Sequence, residues 1–385
     1  MRPRNDLVFP MGEFERRLRE LRRRMEQRGL EVVLTTTPEN ICYLTGFESP
    51  GHYYFNALIV PLEGEPIAVP RHLEDSGYQA LTWVEIRRPY GDVEDPMSRV
   101  RTTLEEFKLH DKRIGYEKNC WFFTAAQQER LWAACPQAEF IDCSGIIEAG
   151  RLIKSEHEIA LMRQTARSTE AGIRAGIEAT RAGVTEHDIA AEIHYAMIKA
   201  GSEWPSLAPF VASGERGAIG HATWAGRRVE PEDCVFLEVG GCLKRYHTAM
   251  MRTVFVGEPG AELWAAEKVV HEAMNASLEA IKPGVPAQEI DAVGRQIIAN
   301  STFGGQQTSR AGYSIGIALP PDWGEGHILS LQQNEPRRLE PNMTFHLIPW
   351  VQMPGKGGIG FSETVRVTEN GCETLTNFER KLFVK

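Results

Sequence analysis

The sequence lacks the features that mark several large protein classes. No part of its 385 residues contains an apolar run near the roughly 18 residues that a membrane-spanning helix needs. Residues 1–24 run into charged sequence and contain no apolar signal core, which argues against secretion. Acidic and basic residues form no long blocks, and their balance of 52 to 43 gives a formal net charge of −9. This composition predicts a soluble, cytoplasmic protein that binds neither nucleic acid nor a membrane.

Cysteine patterns typical of metal ribbons and disulfide frameworks are also missing. The seven cysteines are odd in number, scattered, and never spaced as CxxC. We expect most of them to be small buried residues. Cys242 is kept as a candidate nucleophile only because it lies close to a carboxylate-bearing strand. The chain has no internal repeat and no low-complexity segment, and at about 150 residues per domain its length predicts two or three domains.

The first 150 residues alternate between helical and strand patterns. Phe14, Leu18, Leu21 and Met25 recur at helical spacing, and Gly29 is typical of the end of such a helix. Apolar runs bounded by turn residues predict buried strands at 31–37, 57–69 and 112–117, and a further helix is predicted at 125–135. This alternation is typical of an α/β domain.

After a connecting stretch at 141–154 the pattern changes. Ser155 and Glu158 form a plausible capping box at the start of a long helix over 155–180. Further helices are predicted at 186–201 and 262–282, and strands at 235–241, 249–257, 343–351 and 360–368. Helices beside a largely antiparallel sheet predict an α+β domain. We therefore place the domain boundary near residue 150, between 1–150 and 151–385.

Four sequence islands contain most of the residue types that support chemistry. They lie at 213–224, 236–257, 312–327 and 343–365. Their order and spacing resemble the pita-bread hydrolases, the family of methionine aminopeptidase, Xaa-Pro dipeptidase, aminopeptidase P and creatinase. The resemblance covers nearly the whole chain. It implies a creatinase-like N-terminal domain over 1–150 and a pita-bread catalytic domain over 151–385.

The resemblance also indicates that the metal site of the family has been lost. Peptidases of this family bind two metal ions with two Asp, one His and two Glu. The matching positions here are Glu238, Ala249, Tyr313, Ile348 and Ser362. A dinuclear centre needs several anionic oxygen or imidazole ligands, and Ala and Ile supply none. We therefore expect no metal ion and no other cofactor.

Loss of the metal favours a substrate whose reacting carbon is already positive. A peptide carbonyl is a poor electrophile and benefits from a Lewis acid, whereas an amidinium or guanidinium carbon needs carboxylates around it. Within the family the chain resembles the ectoine hydrolases, which open a cyclic amidine to an acetylated diaminobutyrate. The matching fragments lie at 238–247, 312–325, 343–346, 362–364 and 380–385. The sequence departs from that group in the loop at 47–56, which leaves the exact substrate open.

Three residues are the catalytic candidates. His221 matches the catalytic His of creatinase, and an imidazole exchanges protons near neutral pH; the alternative is a structural His in a glycine-rich loop. Glu238 either faces a cationic ligand or pairs with a buried Arg. Facing a ligand, it balances the amidinium charge or attacks the carbon. Glu363 is the third catalytic candidate because it matches the ectoine hydrolases. Strand alternation, however, places Glu363 on the face opposite to Ser362, the residue at the former ligand position.

Other residues are candidates for contact with the substrate. These candidates are Tyr313, His247, His346, Trp204 and Tyr53. For each of them the alternative is a structural role as a packed or interface residue. An amino-acid-like substrate brings a carboxylate, for which an Arg is the natural partner. Arg71, Arg245 and Arg310 stay open for that role. Met251 stands where creatinase has a substrate-binding Glu, which argues against creatine itself.

The sequence therefore predicts a metal-independent, homodimeric hydrolase that cleaves a non-peptide C–N bond in a small zwitterionic amidine, with ectoine as the leading substrate. The resemblance also implies a partner deacetylase that acts on the product. A creatinase-type amidinohydrolase with a different substrate is the first alternative. An Xaa-Pro peptidase, which needs metal, and a non-catalytic pita-bread binding module are further alternatives.

Overall fold

The computed structural model of the chain describes residues 4–304 and 309–385, so the first three residues of the charged N-terminal segment lie outside it. The chain divides into two compact units, Met1–Arg151 and Leu152–Lys385. No helix in the described part of the chain is both long and apolar enough to cross a membrane. Each unit has its own sheets and its own apolar core.

The N-terminal unit is built on one mixed sheet. Its strands are β1 (Val32–Thr35), β2 (Ala57–Pro61), β3 (Ile67–Val69), β4 (Ile86–Arg87), β5 (Arg113–Tyr116) and β6 (Glu139–Asp142). They lie in the order β4-β3-β2-β1-β5-β6, and β1 pairs antiparallel with β2 but parallel with β5. The helices are α1 (Met11–Arg28), α2 (Pro38–Thr45), α3 (Asp75–Leu81), α4 (Pro96–Glu106), α5 (Ala125–Ala134) and α6 (Glu148–Arg151). The predicted α/β class is confirmed.

Helix α1 shows how local sequence produces this unit. Phe14, Leu18, Leu21 and Met25 are all buried, as their spacing predicts. Gly29 ends the helix with φ 63°, a left-handed conformation that glycine adopts without a steric penalty.

In residues 152–304 and 309–385, the C-terminal unit combines four α-helices with mainly antiparallel sheets. The helices are α7 (Glu156–Ala179), α8 (Glu186–Lys199), α9 (Ala261–Ala280) and α10 (Ala287–Ala299). Helix α7 begins at the predicted capping box, in which the Glu158 N–H donates to Ser155 Oγ and the Ser155 N–H donates to the Glu158 carboxylate. Helix α10 was not among the predicted elements, although Ile290 and Ile298 are buried at helical spacing.

The strands in the described part of this unit belong to three sheets. They are β7 (Phe210–Ser213), β8 (Cys234–Leu243), β9 (Tyr246–Phe255), β10 (Gly312–Ser314), β11 (Ser330–Leu331), β12 (Thr344–Leu347), β13 (Trp350–Met353), β14 (Gly357–Gly360), β15 (Glu363–Val367), β16 (Cys372–Thr374) and β17 (Phe383–Val384). One sheet has the order β17-β9-β8-β7, another β11-β10-β12-β15-β16, and β13 pairs with β14. Ile173 and Ile177 of α7 share an apolar cluster with Leu237 and Met250. The predicted α+β class is confirmed.

Two local features hold the segment between β10 and β11. A Cβ atom at Gly240 would lie 2.5 Å from the Trp323 ring, so the absence of a side chain there makes room for the indole. Lys154 Nζ lies 2.8 Å from a carboxylate oxygen of Glu325, and both side chains are buried. A buried ion pair is costly to break because each charge then lies in the interior without its partner. Trp323 is thereby held between a close backbone contact and a buried charge pair two residues away.

Candidate active site

A cavity of about 620 Å³ lies within the C-terminal unit. Aromatic side chains form much of its wall: Phe210, Phe236, Tyr313, Trp323 and Trp350. Four residues with titratable or charged groups also line it: His221, Glu238, Arg310 and Asp322. An apolar cavity with a few converging polar groups is the usual form of a small-molecule site.

Glu238 lies in an apolar part of this wall because of strand pairing. On β8 it is directly opposite Phe210 of β7 and Met251 of β9. Side chains at directly opposite positions share a face of the sheet, and all three line the cavity.

The Glu238 carboxyl group has no Lys or Arg partner in an ion pair among the described residues. Its nearest basic group is His346, whose Nδ1 lies 4.0 Å from Oε1. Burial, and then the negative charge of Asp322, raise the pKa of Glu238 to about 8. Glu238 is therefore largely protonated at pH 7 unless a cation enters the cavity.

His221 lines the same cavity on the loop that follows β7. Its ring stacks on Phe210, with centroids 5.5 Å apart and planes 19° apart. Its φ of 63° is left-handed, a conformation that costs a non-glycine residue about 1–2 kcal/mol. Such strain is concentrated at functional sites. The side chain is exposed, so its imidazole is accessible from solvent.

Behind the wall, Tyr313 begins a chain of buried hydrogen bonds. Tyr313 of β10 is directly opposite His346 of β12. The Tyr313 hydroxyl lies 2.8 Å from His346 Nδ1, and His346 Nε2 lies 2.6 Å from Ser362 Oγ. Trp323 Nε1 donates to the Tyr313 oxygen at 2.8 Å. Both nitrogens of His346 are thus engaged inside the protein, and its side chain is fully buried.

The hydrogen bonds that connect Tyr313, His346 and Ser362 allow two arrangements of their protons. Burial, and then the positive charges of Arg310 and Arg252, lower the pKa of His346 to about 3, so the ring is neutral and carries one N–H. In one arrangement Tyr313 donates to Nδ1, and Nε2 donates to Ser362. In the other Ser362 donates to Nε2, Nδ1 donates to Tyr313, and the phenol proton is free to point into the cavity. Burial, and next the negative charge of Glu238, raise the pKa of Tyr313 well above its usual value, so the phenol stays protonated.

Glu363, the third catalytic candidate, lies in a different environment. Its carboxylate accepts a hydrogen bond from Arg252 Nη2 at 2.6 Å and another from the Thr376 hydroxyl. Arg252 and Glu363 are both buried, and Glu363 is not one of the residues that line the cavity. Because side chains alternate along β15, Ser362 faces His346 and Glu363 faces Arg252. The structure therefore gives Glu363 the structural role of an ion-pair partner, in place of the predicted catalytic one.

Three predicted substrate contacts also do not line the cavity: His247 and His346 are fully buried, and Trp204 is half-buried. His247 accepts from the Ser206 N–H at Nε2, 3.1 Å away, and its Nδ1 is 2.9 Å from the Arg245 carbonyl oxygen. The ring of Trp204 lies 3.8 Å from the Arg245 guanidinium carbon, so the cation against it belongs to the protein. His346 is hydrogen-bonded to the Tyr313 hydroxyl and does not itself line the cavity. Protein groups, rather than a ligand, satisfy these side chains.

The remaining candidates are Tyr53 and Cys242. Tyr53 belongs to the N-terminal unit, is 61% exposed, and packs beside Tyr54 with ring centroids 4.6 Å apart. Cys242 is fully buried and does not line the cavity, which does not fit a nucleophile that must reach a substrate.

Several cavity residues were not proposed from the sequence. Phe236 precedes Glu238 by two positions, so strand alternation alone would have placed both on one face. Asp322 and Trp323 lie in one of the matching fragments but carried no assigned role. Phe210 had no sequence signal, because only the pairing of β7 with β8 brings it beside Glu238.

The donor set does not fit the two-metal centre of the family's peptidases. Of the five matching positions, Ala249 and Ile348 have no ligand atom, and the hydroxyl groups of Tyr313 and Ser362 are both hydrogen-bonded to His346. Glu238 is then the single carboxylate left. In residues 4–304 and 309–385, no three or more His, Cys, Asp or Glu side chains are grouped so that they could hold a metal ion.

Comparison with known protein families matches both units. The model of metallopeptidase family M24 matches residues 160–369, and that of the creatinase/prolidase N-terminal domain matches residues 17–153. The chain is 32% identical to ectoine hydrolase of Halomonas elongata, an alignment that covers 98% of this chain and 99% of that protein. It is 31% identical to an uncharacterised hydrolase/peptidase of Sinorhizobium fredii, with 98% and 99% coverage.

Solved structures with this fold include peptidases. X-Pro aminopeptidase from Thermotoga maritima has a TM-score of 0.85 at 26% identity, covering 96% of this chain and 99% of that chain. Prolidase from Thermococcus sibiricus has a TM-score of 0.85 at 25% identity, covering 97% and 99%. The predicted family and fold class are confirmed.

Replacing Glu363 by Ala should destabilise the protein by about 3–5 kcal/mol, because Arg252 then stays buried without its counter-ion. Urea unfolding followed by circular dichroism measures this loss. As a matched control, Glu373→Ala removes half-exposed ion pairs with Arg163 and Arg366 and should cost about 0–1 kcal/mol for each pair. Normal stability with impaired turnover in Glu363→Ala would instead assign Glu363 to catalysis.

Glu238 should make the stability of the protein depend on pH. The carboxyl group loses its proton near pH 4.5 in the unfolded chain and near pH 8 in the folded one, so its contribution to stability falls as the pH rises between these values. We expect thermal unfolding to show that Glu238→Gln gains stability relative to the wild type as the pH rises from 5 to 9. The gain in the free energy of unfolding should reach about a few kcal/mol, the order of magnitude that such proton linkage gives. The exposed Glu178→Gln is the control. A stability difference that does not change with pH would contradict the raised pKa.

Proposed function

Because the chain belongs to metallopeptidase family M24 and carries a creatinase/prolidase N-terminal domain, we propose that it is a metal-independent member that hydrolyses a small zwitterionic amidine. The proposed substrate is ectoine. Water adds to the ring carbon between the two nitrogens, one C–N bond breaks, and the released nitrogen takes a proton. The product is N-acetyl-diaminobutyrate.

The observation that carries this proposal is a carboxyl group at the cavity wall with no Lys or Arg paired to it in the described residues. Glu238 is in that position, whereas Glu363 pairs with Arg252. A carboxylate that is buried needs a partner of opposite charge. An amidinium beside Glu238 supplies that charge and shifts the carboxyl group to its ionised form. Asp322 adds negative charge to the same cavity.

The surrounding residues have the functional groups that the reaction needs. His221 takes a proton from the attacking water and returns it to the leaving nitrogen. Glu238 stabilises the positive carbon in our preferred mechanism, and direct attack by Glu238 is the alternative. Tyr313 donates a hydrogen bond from its phenol to the oxygen that the attacking water leaves on the ring carbon, and the hydrogen bonds through His346 and Ser362 orient that donor.

An Xaa-Pro peptidase is the second candidate because solved structures with the same fold carry that activity. The donor set argues against it, since Ala249 and Ile348 occupy two of the five ligand positions. The homodimer, the partner deacetylase and the cytoplasmic location stay predictions.

The proposed reaction is tested with protein treated with EDTA and checked by elemental analysis. Incubation with ectoine, followed by proton NMR, should produce the signals of N-acetyl-diaminobutyrate at an unchanged rate. An Xaa-Pro dipeptide should stay intact, with or without added Mn²⁺ or Co²⁺. Cleavage of the dipeptide only with metal, and no conversion of ectoine, would refute the proposal in favour of the peptidase. Hydrolysis of a guanidine such as creatine, without hydrolysis of ectoine, would instead support a creatinase-type amidinohydrolase.

Replacing His221 by Ala should lower kcat for ectoine by about 100- to 10,000-fold, the range of a lost general acid–base group. Stability should change little because the side chain is exposed. His187→Ala, an exposed histidine of the same unit, should leave kcat unchanged. Stopped assays followed by NMR measure both variants. Turnover within a few-fold of the wild type in His221→Ala would remove this residue from the mechanism.

A further inference from the structure

Arg310 is a cation at the cavity wall that has no carboxylate partner. Within the described residues its guanidinium has one hydrogen-bond partner, the Ser330 hydroxyl, 2.8 Å from Nη1. No Asp or Glu of that part of the chain forms an ion pair with it. The seven other residues, 1–3 and 305–308, include no Asp or Glu. The chain therefore supplies no carboxylate partner for Arg310.

The other two arginines that the sequence left open as carboxylate partners already form hydrogen bonds with groups of the protein. Arg245 is fully buried and donates to the carbonyl oxygens of Ala318 and Trp204 and to Ser206 Oγ. Arg71, in the N-terminal unit, pairs with Asp92 at 2.7 Å. Of the three candidates, Arg310 is the one that lines the cavity.

Strand pairing explains why Arg310 lies where it does. Ser330 of β11 is directly opposite Tyr313 of β10, so the two side chains share a face of the sheet. The guanidinium carbon lies 4.6 Å from the centre of the Tyr313 ring while Nη1 reaches Ser330. A Cβ atom at Gly326 would lie 2.7 Å from Nη1, so the glycine leaves space for the guanidinium.

Arg310 and Glu238 are separated by Tyr313. Arg310 lies over the ring, and the hydroxyl end bonds to His346, whose Nδ1 is 4.0 Å from the Glu238 carboxyl group. The Arg310 guanidinium and the Glu238 carboxyl group line one cavity but form no ion pair with each other. A molecule that spans Tyr313 and is negative at one end and positive at the other satisfies both groups.

We propose that Arg310 binds the carboxylate of the substrate and restricts the site to amidines that carry one. This inference rests on the proposed function and names its substrate class more closely. A guanidinium forms short, charge-assisted hydrogen bonds with a carboxylate, often two in parallel. Since Ser330 occupies only one N–H, donors remain for such a pair. Arg310 is then a specificity-determining residue, while His221 and Glu238 act on the amidine.

The test compares ectoine with 2-methyl-1,4,5,6-tetrahydropyrimidine, the same amidine ring without the carboxylate. Calorimetric affinity and kcat/KM are measured for both compounds with the wild type, Arg310→Met and Arg310→Lys. The control is Arg163→Met, a surface arginine paired with Glu373. The wild type should prefer ectoine by about 10- to 100-fold, the range of a hydrogen-bonded charge pair. Arg310→Met should lose this preference because affinity and kcat/KM fall for ectoine and stay unchanged for the ring compound. Arg310→Lys should show an intermediate preference, and Arg163→Met should match the wild type.

The ring compound also serves as a folding control, because unchanged binding of it shows that Arg310→Met is folded. Equal losses for both compounds, or a preference that survives in Arg310→Met, would overturn the inference and leave the proposed reaction standing. Binding with an Arg310-dependent preference but without hydrolysis would support the inference and overturn the proposed reaction. No binding of either compound to the wild type would overturn both.

Discussion

The carboxyl group of Glu238 lies among Phe210, Met251 and other apolar groups, and the described residues provide no lysine or arginine to pair with it. Burying an unpaired charge is costly, so the group stays protonated until a cation arrives from outside. The rest of the cavity suits such a cation, since aromatic rings and Asp322 surround the space. In the proposed function, this local cost to the folded protein is the source of selectivity for a positively charged group.

The positions that match metal ligands in the peptidases have acquired a different chemistry. Tyr313 and Ser362 are joined through His346 by two hydrogen bonds, and Trp323 donates a third. These groups are neutral, because burial lowers the pKa of the histidine and raises that of the phenol. In the proposed function this neutral, hydrogen-bonded interior takes the place of the family's metal centre. The Glu238 carboxyl group and the Arg310 guanidinium both line the cavity and form no ion pair with each other.

Comparison of Glu238 with Glu363 shows where sequence reasoning reached its limit. Both are acidic residues of β-strands, and strand alternation correctly separates Ser362 from Glu363. Whether each carboxylate meets an arginine depends on residues far along the chain: Arg252 is 111 positions from Glu363. The same holds for His247, whose Nε2 accepts from the Ser206 N–H 41 positions away. These pairings cannot be predicted from the side-chain types or from the local hydrophobic periodicity of the sequence.

The sequence alone determined the two-part architecture, the family and the residue types of the site, because these follow from hydrophobic period, capping residues and the order of short motifs. It also indicated that Ala249 and Ile348 cannot bind metal. Only the tertiary structure decided which groups share the cavity: His221, Glu238 and Arg310 line it, and Glu363 pairs elsewhere. The reason is that burial and charge pairing arise from strand register and long-range contacts, which a linear pattern does not specify.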